Sequence, residues 1–276
     1  MRAGLVQLNA TDDPVANLPV TEGFIREAAA GGAELVVTPE VTNIVSASRT
    51  RQTEVLALEH ADASLARLGA VAAEAGIWLL IGSLALKSGD ADGRFVNRSF
   101  LIDPSGTITH RYDKIHMFDV ALDGGETYHE SKGYRPGDTA VLAKTPLGAI
   151  GMTICYDMRF PALYRALAVR GAQILTMPSA FTVPTGRAHW EVLLRARAIE
   201  TGAFVLAPAQ WGRHAATRGR VRETYGHSIA IDPWGQVLAE AGEGIGVTLV
   251  DLDLDAVAEA RRKIPSLSNA RDFALP

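Results

Sequence analysis

The sequence predicts an α/β fold in which sheets are covered by helices, and three observations carry that prediction. Strand and helix signals alternate, the strands are continuous apolar runs, and an Asp-Pro-x-Gly turn recurs in each half. Residues 3–8 form the first apolar run, and Asp12-Asp13-Pro14 opens a helix-like segment that ends at Gly31-Gly32. Residues 35–37 are a second buried strand running straight into Thr38-Pro39-Glu40. Residues 60–75 have helical spacing and stop at Gly76, and residues 77–84 are a third buried strand. The first hairpin joins 98–102 to 107–111 through Asp103-Pro104-Ser105-Gly106. The second joins 228–231 to 236–240 through Asp232-Pro233-Trp234-Gly235. Each turn places Asp first, Pro second and Gly last, as a type I turn prefers. The repeat hints at two packed sheets with internal pseudo-symmetry, although such turns are common enough to recur by chance. Residues 212–225 carry Arg213, Arg218, Arg220 and Arg222 with few apolar neighbours, and read as a loop, either solvated or facing an anionic substrate.

Length and composition narrow the function. A chain of 276 residues with 47% hydrophobic content can build one domain, 1–276, around a sizeable core. The net charge of −4 offers no field for nucleic acid or an anionic membrane surface. A single cysteine excludes an internal disulfide and fits a cytoplasmic location. The longest apolar stretch, residues 77–86, falls short of the roughly 20 residues of a membrane span, and residues 1–8 read as a strand, not a secretory signal. No histidine pair has metal-ligand spacing and no Gly-rich phosphate loop precedes a helix, so neither a metal nor a nucleotide cofactor is expected.

Cys155 is the strongest chemical clue. It follows the small-residue-rich apolar strand 147–154 and precedes Tyr156-Asp157-Met158-Arg159-Phe160-Pro161. Pro161 suits the first turn of a helix and Gly171 its end. A thiol at such a strand-to-helix turn stands at the carboxyl end of a sheet, like a nucleophile elbow. The helix N-terminus there would favour a thiolate and offer backbone N–H groups to an oxyanion. A buried structural cysteine is the equally available alternative. Glu40 ends its apolar strand in the same manner, as a water-facing loop charge or a functional carboxylate. Lys114 and Glu130, the latter within residues 125–132, carry little signal by themselves. Among seven histidines, His116, His189 and His227 sit in ordered contexts, and each could serve a cysteine as base.

Taken together, the segments Leu35-Val36-Val37-Thr38-Pro39-Glu40, Tyr112-Asp113-Lys114-Ile115-His116-Met117-Phe118-Asp119 and Gly151-Met152-Thr153-Ile154-Cys155-Tyr156-Asp157-Met158-Arg159-Phe160-Pro161 resemble the nitrilase, or carbon–nitrogen hydrolase, superfamily. Arg195 to Gly202 and Tyr225-Gly226-His227-Ser228 extend the likeness over nearly the whole chain. The resemblance implies an α-β-β-α sandwich of two packed sheets that pairs into homodimers or larger homo-oligomers. It implies a Glu40–Lys114–Cys155 triad hydrolysing a small-molecule amide through a thioester. In that reading Glu40 is the base, Lys114 and the Tyr156 N–H hold the oxyanion, and Glu130 orients the substrate and supports Lys114. Lys114→Ala is then expected to lower turnover sharply and leave the fold intact. Residues 207–214 look most like the branch that hydrolyses deaminated glutathione to 2-oxoglutarate and cysteinylglycine. ω-Amidase and N-carbamoyl amino acid amidohydrolase are the alternatives, with a non-catalytic interaction protein a remote one. Arg159, Phe181, Arg187 and Arg213 are the expected substrate-binding residues. Trp211 departs from the branch, where a smaller residue is expected, and an indole there would reshape the pocket.

Overall fold

The computed structural model describes residues 1–121 and 127–274; Gly125 and Glu126, which open the Glu130 stretch, lie outside the described residues. The first half runs through β1 (Arg2–Gln7), α1 (Pro14–Ala30), β2 (Leu35–Val37), α2 (Arg49–Val55), α3 (Ala63–Ala75), β3 (Trp78–Lys87), β4 (Phe95–Ile102) and β5 (Ile108–Asp113). Short strands β6 (Asp119–Ala121) and β7 (Thr127–His129) and the single turn α4 (Glu130–Gly133) follow. The second half runs through β8 (Val141–Thr145), β9 (Gly148–Met152), α5 (Pro161–Val169), β10 (Ile174–Thr176), α6 (Val183–Thr201) and β11 (Phe204–Ala207). It closes with β12 (Trp211–Arg213), β13 (Glu223–Tyr225), β14 (Ile229–Ile231), β15 (Val237–Glu240), β16 (Gly246–Asp251) and α7 (Asp255–Lys263).

Local chemistry sets the element ends. Asp13 caps α1 by accepting from the Val15 N–H at 3.0 Å, with Pro14 in the first helical position. The expected helix over 60–75 starts later. Asp62 accepts from the Leu65 N–H at 2.8 Å and so caps α3, leaving Glu59–Ala61 as a separate 3₁₀ turn. Gly76, at φ +66°, closes α3 in the left-handed conformation. The stretch 212–225 is not all loop, because its ends pair as the antiparallel ribbon β12–β13.

Two six-stranded sheets, ordered β16-β1-β2-β3-β4-β5 and β15-β14-β11-β10-β9-β8, form the body. Starting from β16, successive pairings are antiparallel, parallel, parallel, antiparallel, antiparallel. Starting from β8, the second sheet repeats that order. The two Asp-Pro-x-Gly turns join β4 to β5 and β14 to β15, which are equivalent places in the two sheets, so their recurrence reflects real internal symmetry.

Side-chain alternation explains the layers. Leu5, Leu35, Val37 and Leu80 face the second sheet's Ile150, Met152 and Ile174 in one core. Val6, Val36, Leu79 and Ile81 point the other way, onto Ile25 and Ala28 of α1 and Leu65, Leu68 and Val71 of α3. Helices α5 and α6 cover the second sheet with Leu167, Trp190, Leu194 and Ala198. The result is α-β-β-α.

Gly82, inside β3, shows how closely the halves meet. A Cβ there would lie 2.0 Å from the Thr38 carbonyl oxygen, 2.5 Å from that of Pro39 and 2.5 Å from Pro178. Two of these atoms are backbone leading into Glu40, and Pro178 follows β10 in the second sheet, so the clash has no side chain to absorb it. Gly82→Ala is expected to cost about 3 kcal/mol or more in urea-unfolding free energy and to lower activity with it.

Candidate active site

Glu40, Lys114 and Cys155 leave the carboxyl ends of β2, β5 and β9, and the packing of the sheets brings them to one cavity. The cavity has a volume of about 590 Å³ and also admits Glu130, Tyr156 and Phe181 to its wall. Cys155 has φ +49°, a strained left-handed backbone for a non-glycine residue. Its N–H donates to the Pro178 carbonyl at 3.0 Å, which holds the elbow against the strand next door. A 3₁₀ turn over Cys155–Arg159 follows, and Pro161 then opens α5. Tyr156, second in that turn, directs its N–H where no helical carbonyl can take it.

A charge cluster surrounds the thiol. Lys114 Nζ lies 2.8 Å from Glu40 Oε1, and 3.0 and 2.9 Å from the two oxygens of Glu130. Glu40 Oε2 accepts from the Ala180 N–H at 2.8 Å, and Glu40 and the Cys155 thiol are close enough for each to perturb the other's ionisation. Burial opposes ionisation of Glu40, but the Lys114 charge and these hydrogen bonds outweigh it and hold the carboxyl below its usual range. Burial also works against the Lys114 ammonium, yet Glu130 and Glu40 keep it firmly charged. Cys155 differs from the expectation of a favoured thiolate. Burial first, then the negative charge of Glu40, push the thiol well above its ordinary value, and Lys114 only partly offsets them. The resting nucleophile is therefore a thiol with a carboxylate beside it.

Two supporting residues escape a local reading of the sequence. Asn97, on β4, donates from Nδ2 to Glu40 Oε1 at 2.9 Å and Glu130 Oε1 at 3.4 Å, so it ties the carboxylates together. A buried amide inside the apolar run of β4 is the signal that could have found it. Asp157, fully buried, accepts from Tyr112 Oη at 2.6 Å, the His116 N–H at 3.0 Å and the Ile154 N–H at 2.8 Å. It thereby fastens the cysteine turn to the segment that bears Lys114.

The remaining sequence candidates divide. Phe181 lines the cavity, whereas Arg159, Arg187 and Arg213 are not among its lining residues. Arg159 stacks over Phe181 at 5.4 Å and lies 3.2 Å from His189 Nδ1, and Arg187 and Arg213 are exposed. Arg220 and Arg222 line the wall instead. Trp211 is not among the residues that line the cavity. It sits in β12 across from Tyr225, and Gly226, at φ +74°, leaves room for its indole. His116, His189 and His227 also lie outside the lining. Among the described residues no His/Cys/Asp/Glu cluster could hold a metal, and no helix is long and apolar enough to cross a membrane.

A family profile for carbon–nitrogen hydrolases matches residues 2–262. The chain belongs to that family. It is 39% identical to the deaminated glutathione amidase of Yersinia enterocolitica, over 97% of this chain and 92% of that one. Among solved structures, the C. elegans NitFhit protein matches with a TM-score of 0.90 and 34% identity, over 98% of this chain and 65% of that one. The Nit3 protein of Saccharomyces cerevisiae, a member of the nitrilase superfamily, matches with a TM-score of 0.84 and 30% identity, over 96% and 94% of the two chains. In this carbon–nitrogen hydrolase, then, the buried lysine holds the carboxylate at 2.8 Å, and the thiol opens onto the same cavity.

A buried histidine outside the cavity lining adds a pH dependence of its own. His214 is held between the Ala10 carbonyl oxygen and Thr224 Oγ1, both at 2.7 Å, and burial pushes its imidazole down to about 4. Between the ordinary value of 6.5 and about 4, the unfolded chain binds a proton that the fold refuses, so stability falls with falling pH. The expected loss from pH 7 to pH 5 is about 2 kcal/mol, read from urea midpoints. His214→Gln is expected to flatten that part of the profile; an unchanged slope would contradict the account.

Proposed function

We propose that this chain is a single-domain cytoplasmic amidase that hydrolyses deaminated glutathione to 2-oxoglutarate and cysteinylglycine. The observation that carries the chemistry is the thiol of Cys155 sharing one cavity with a carboxylate that Lys114, 2.8 Å away, keeps ionised. As substrate binds, Glu40 takes the thiol proton and sulfur attacks the amide carbon. The oxyanion develops toward the Lys114 ammonium and the Tyr156 N–H, each worth about 3 kcal/mol of barrier. Glu40 returns the proton to the leaving nitrogen, then draws one from the water that hydrolyses the thioester. Glu130 and Asn97 hold Lys114 and Glu40 in register throughout. The substrate assignment is supported by the name of the Yersinia relative and by the arginines on the cavity wall, which suit an acidic amide. We place the working form as a homodimer or larger homo-oligomer, as the family resemblance implies.

The test is a substrate panel with separate readouts. Deaminated glutathione is expected to yield 2-oxoglutarate at a kcat/KM at least tenfold above that for ammonia release from 2-oxoglutaramate or an N-carbamoyl amino acid. A reversed order would reassign the substrate within the same chemistry.

A further inference from the structure

Among the described cations that line the cavity, Arg222 is the one with a buried nitrogen that has no hydrogen-bond partner. Lys114 is held by two carboxylates, and Arg49 donates to the carbonyls of Gly133 and Gly93, both at 2.6 Å. Arg222 donates from Nη2 to the Ala180 carbonyl at 3.2 Å, but its buried Nε has no partner, and no carboxylate pairs with it among the described residues. A buried guanidinium nitrogen left without an acceptor costs free energy, which a ligand oxygen would recover.

Ala180 fixes where that ligand oxygen would lie. Its N–H donates to Glu40 Oε2 and its carbonyl accepts from Arg222, so a single residue separates the carboxylate beside the nucleophile from the unmatched guanidinium. The acyl portion of the proposed substrate has matching dimensions. Its carboxylate carbon and scissile amide carbon are four bonds apart, about 5 Å when extended.

The loop that carries Arg222 is built before any ligand arrives. The Arg222 carbonyl accepts from the His214 N–H at 2.9 Å, and β12 pairs with β13 immediately beyond it. Asp12, buried, accepts from the Thr217 N–H at 2.6 Å, from Thr217 Oγ1 at 2.7 Å and from the Arg218 N–H at 3.4 Å. A guanidinium fixed in this way gives up little further freedom on binding. The apolar side chains of Val41, Ile44 and Phe181 line the same cavity and lessen competition from water.

We propose that Arg222 receives the carboxylate on the acyl side of the substrate and thereby selects acidic amides over neutral ones. This rests on the reading that an amide is attacked by Cys155 in this cavity. The experiment uses full-length Cys155→Ala protein, which binds without turnover, with 2-oxoglutarate and its 1-methyl ester as calorimetric probes. Adding Arg222→Gln is expected to weaken the acid by about 30-fold and the ester by less than threefold. Arg222→Lys, which keeps the charge and loses the planar fork, is expected to fall between. Acid binding that Arg222→Gln leaves unchanged, an equal loss for acid and ester, or no binding of either probe by the Cys155→Ala protein overturns the proposal. Because nothing turns over, an enzyme that selects the acid through Arg222 yet releases no 2-oxoglutarate from deaminated glutathione would refute the amide assignment alone.

Discussion

Glu40→Gln is expected to lower kcat by about a thousandfold while making Cys155 easier to ionise. The two effects have opposite signs because Glu40 plays two parts. As a base it is the carboxylate that shares the cavity with the thiol, and glutamine cannot take that proton. As a charge it raises the cost of the thiolate, second only to burial. Removing the charge leaves Lys114 beside the sulfur with less opposition, so the thiol should titrate lower. The iodoacetamide alkylation rate of Cys155, followed against pH, should therefore rise at lower pH in the variant than in the wild type. A merely structural Glu40 predicts lost turnover with an alkylation profile unmoved, or moved upward. The fold should survive, since glutamine still offers an oxygen to the Ala180 N–H.

Lys114→Ala is expected to abolish measurable turnover and also to destabilise the fold, contrary to the expectation from sequence that the fold is untouched. Lys114 is 2% exposed, and its ammonium is the shared counter-charge of Glu40 and Glu130. Without it, two carboxylates face each other with only Asn97 Nδ2 between them. Breaking a buried pair in this way costs about 3–5 kcal/mol at neutral pH. The pH dependence gives the cause away. In the wild type Glu40 titrates below its ordinary value, so its contribution is present above the unfolded value of 4.5 and is lost as pH falls. In the variant, like charges raise the affinity of one carboxylate for a proton, so stability is recovered as pH falls. The difference in urea midpoint between variant and wild type should shrink from about pH 7 to about pH 5. His214 contributes equally to both proteins and drops out of the difference. A gap that is constant with pH would mean that packing, not charge, was lost.

These expectations show what a single chain discloses. The Cys155 elbow was legible because a small-residue strand, a polar turn and Pro161 are all local signals. The paired hairpins were legible for the same reason, but the equivalence of β4–β5 with β14–β15, which the turns only hinted at, is given by the sheet order. The base was not legible locally. Glu40 and Lys114 are 74 residues apart and meet only because β2 and β5 belong to the same sheet, so histidine stayed an open choice. The structure uses His116 to hold Asp157 and His227 to meet Glu240. The arginines between 213 and 222 show the same limit. Which of them face inward depends on the β12–β13 register and on Asp12 gripping the loop from 205 residues away. The thiol state was misjudged because a helix N-terminus was weighed without the burial that outweighs it.

The most direct test of the central claim is the intact mass of the enzyme within the first turnovers on deaminated glutathione, followed by peptide mapping. The account predicts a 2-oxoglutaryl adduct that maps to Cys155, decays as 2-oxoglutarate appears, and is absent from Cys155→Ala protein. Release of 2-oxoglutarate with no adduct at Cys155, or undiminished release by the Cys155→Ala protein, would contradict it.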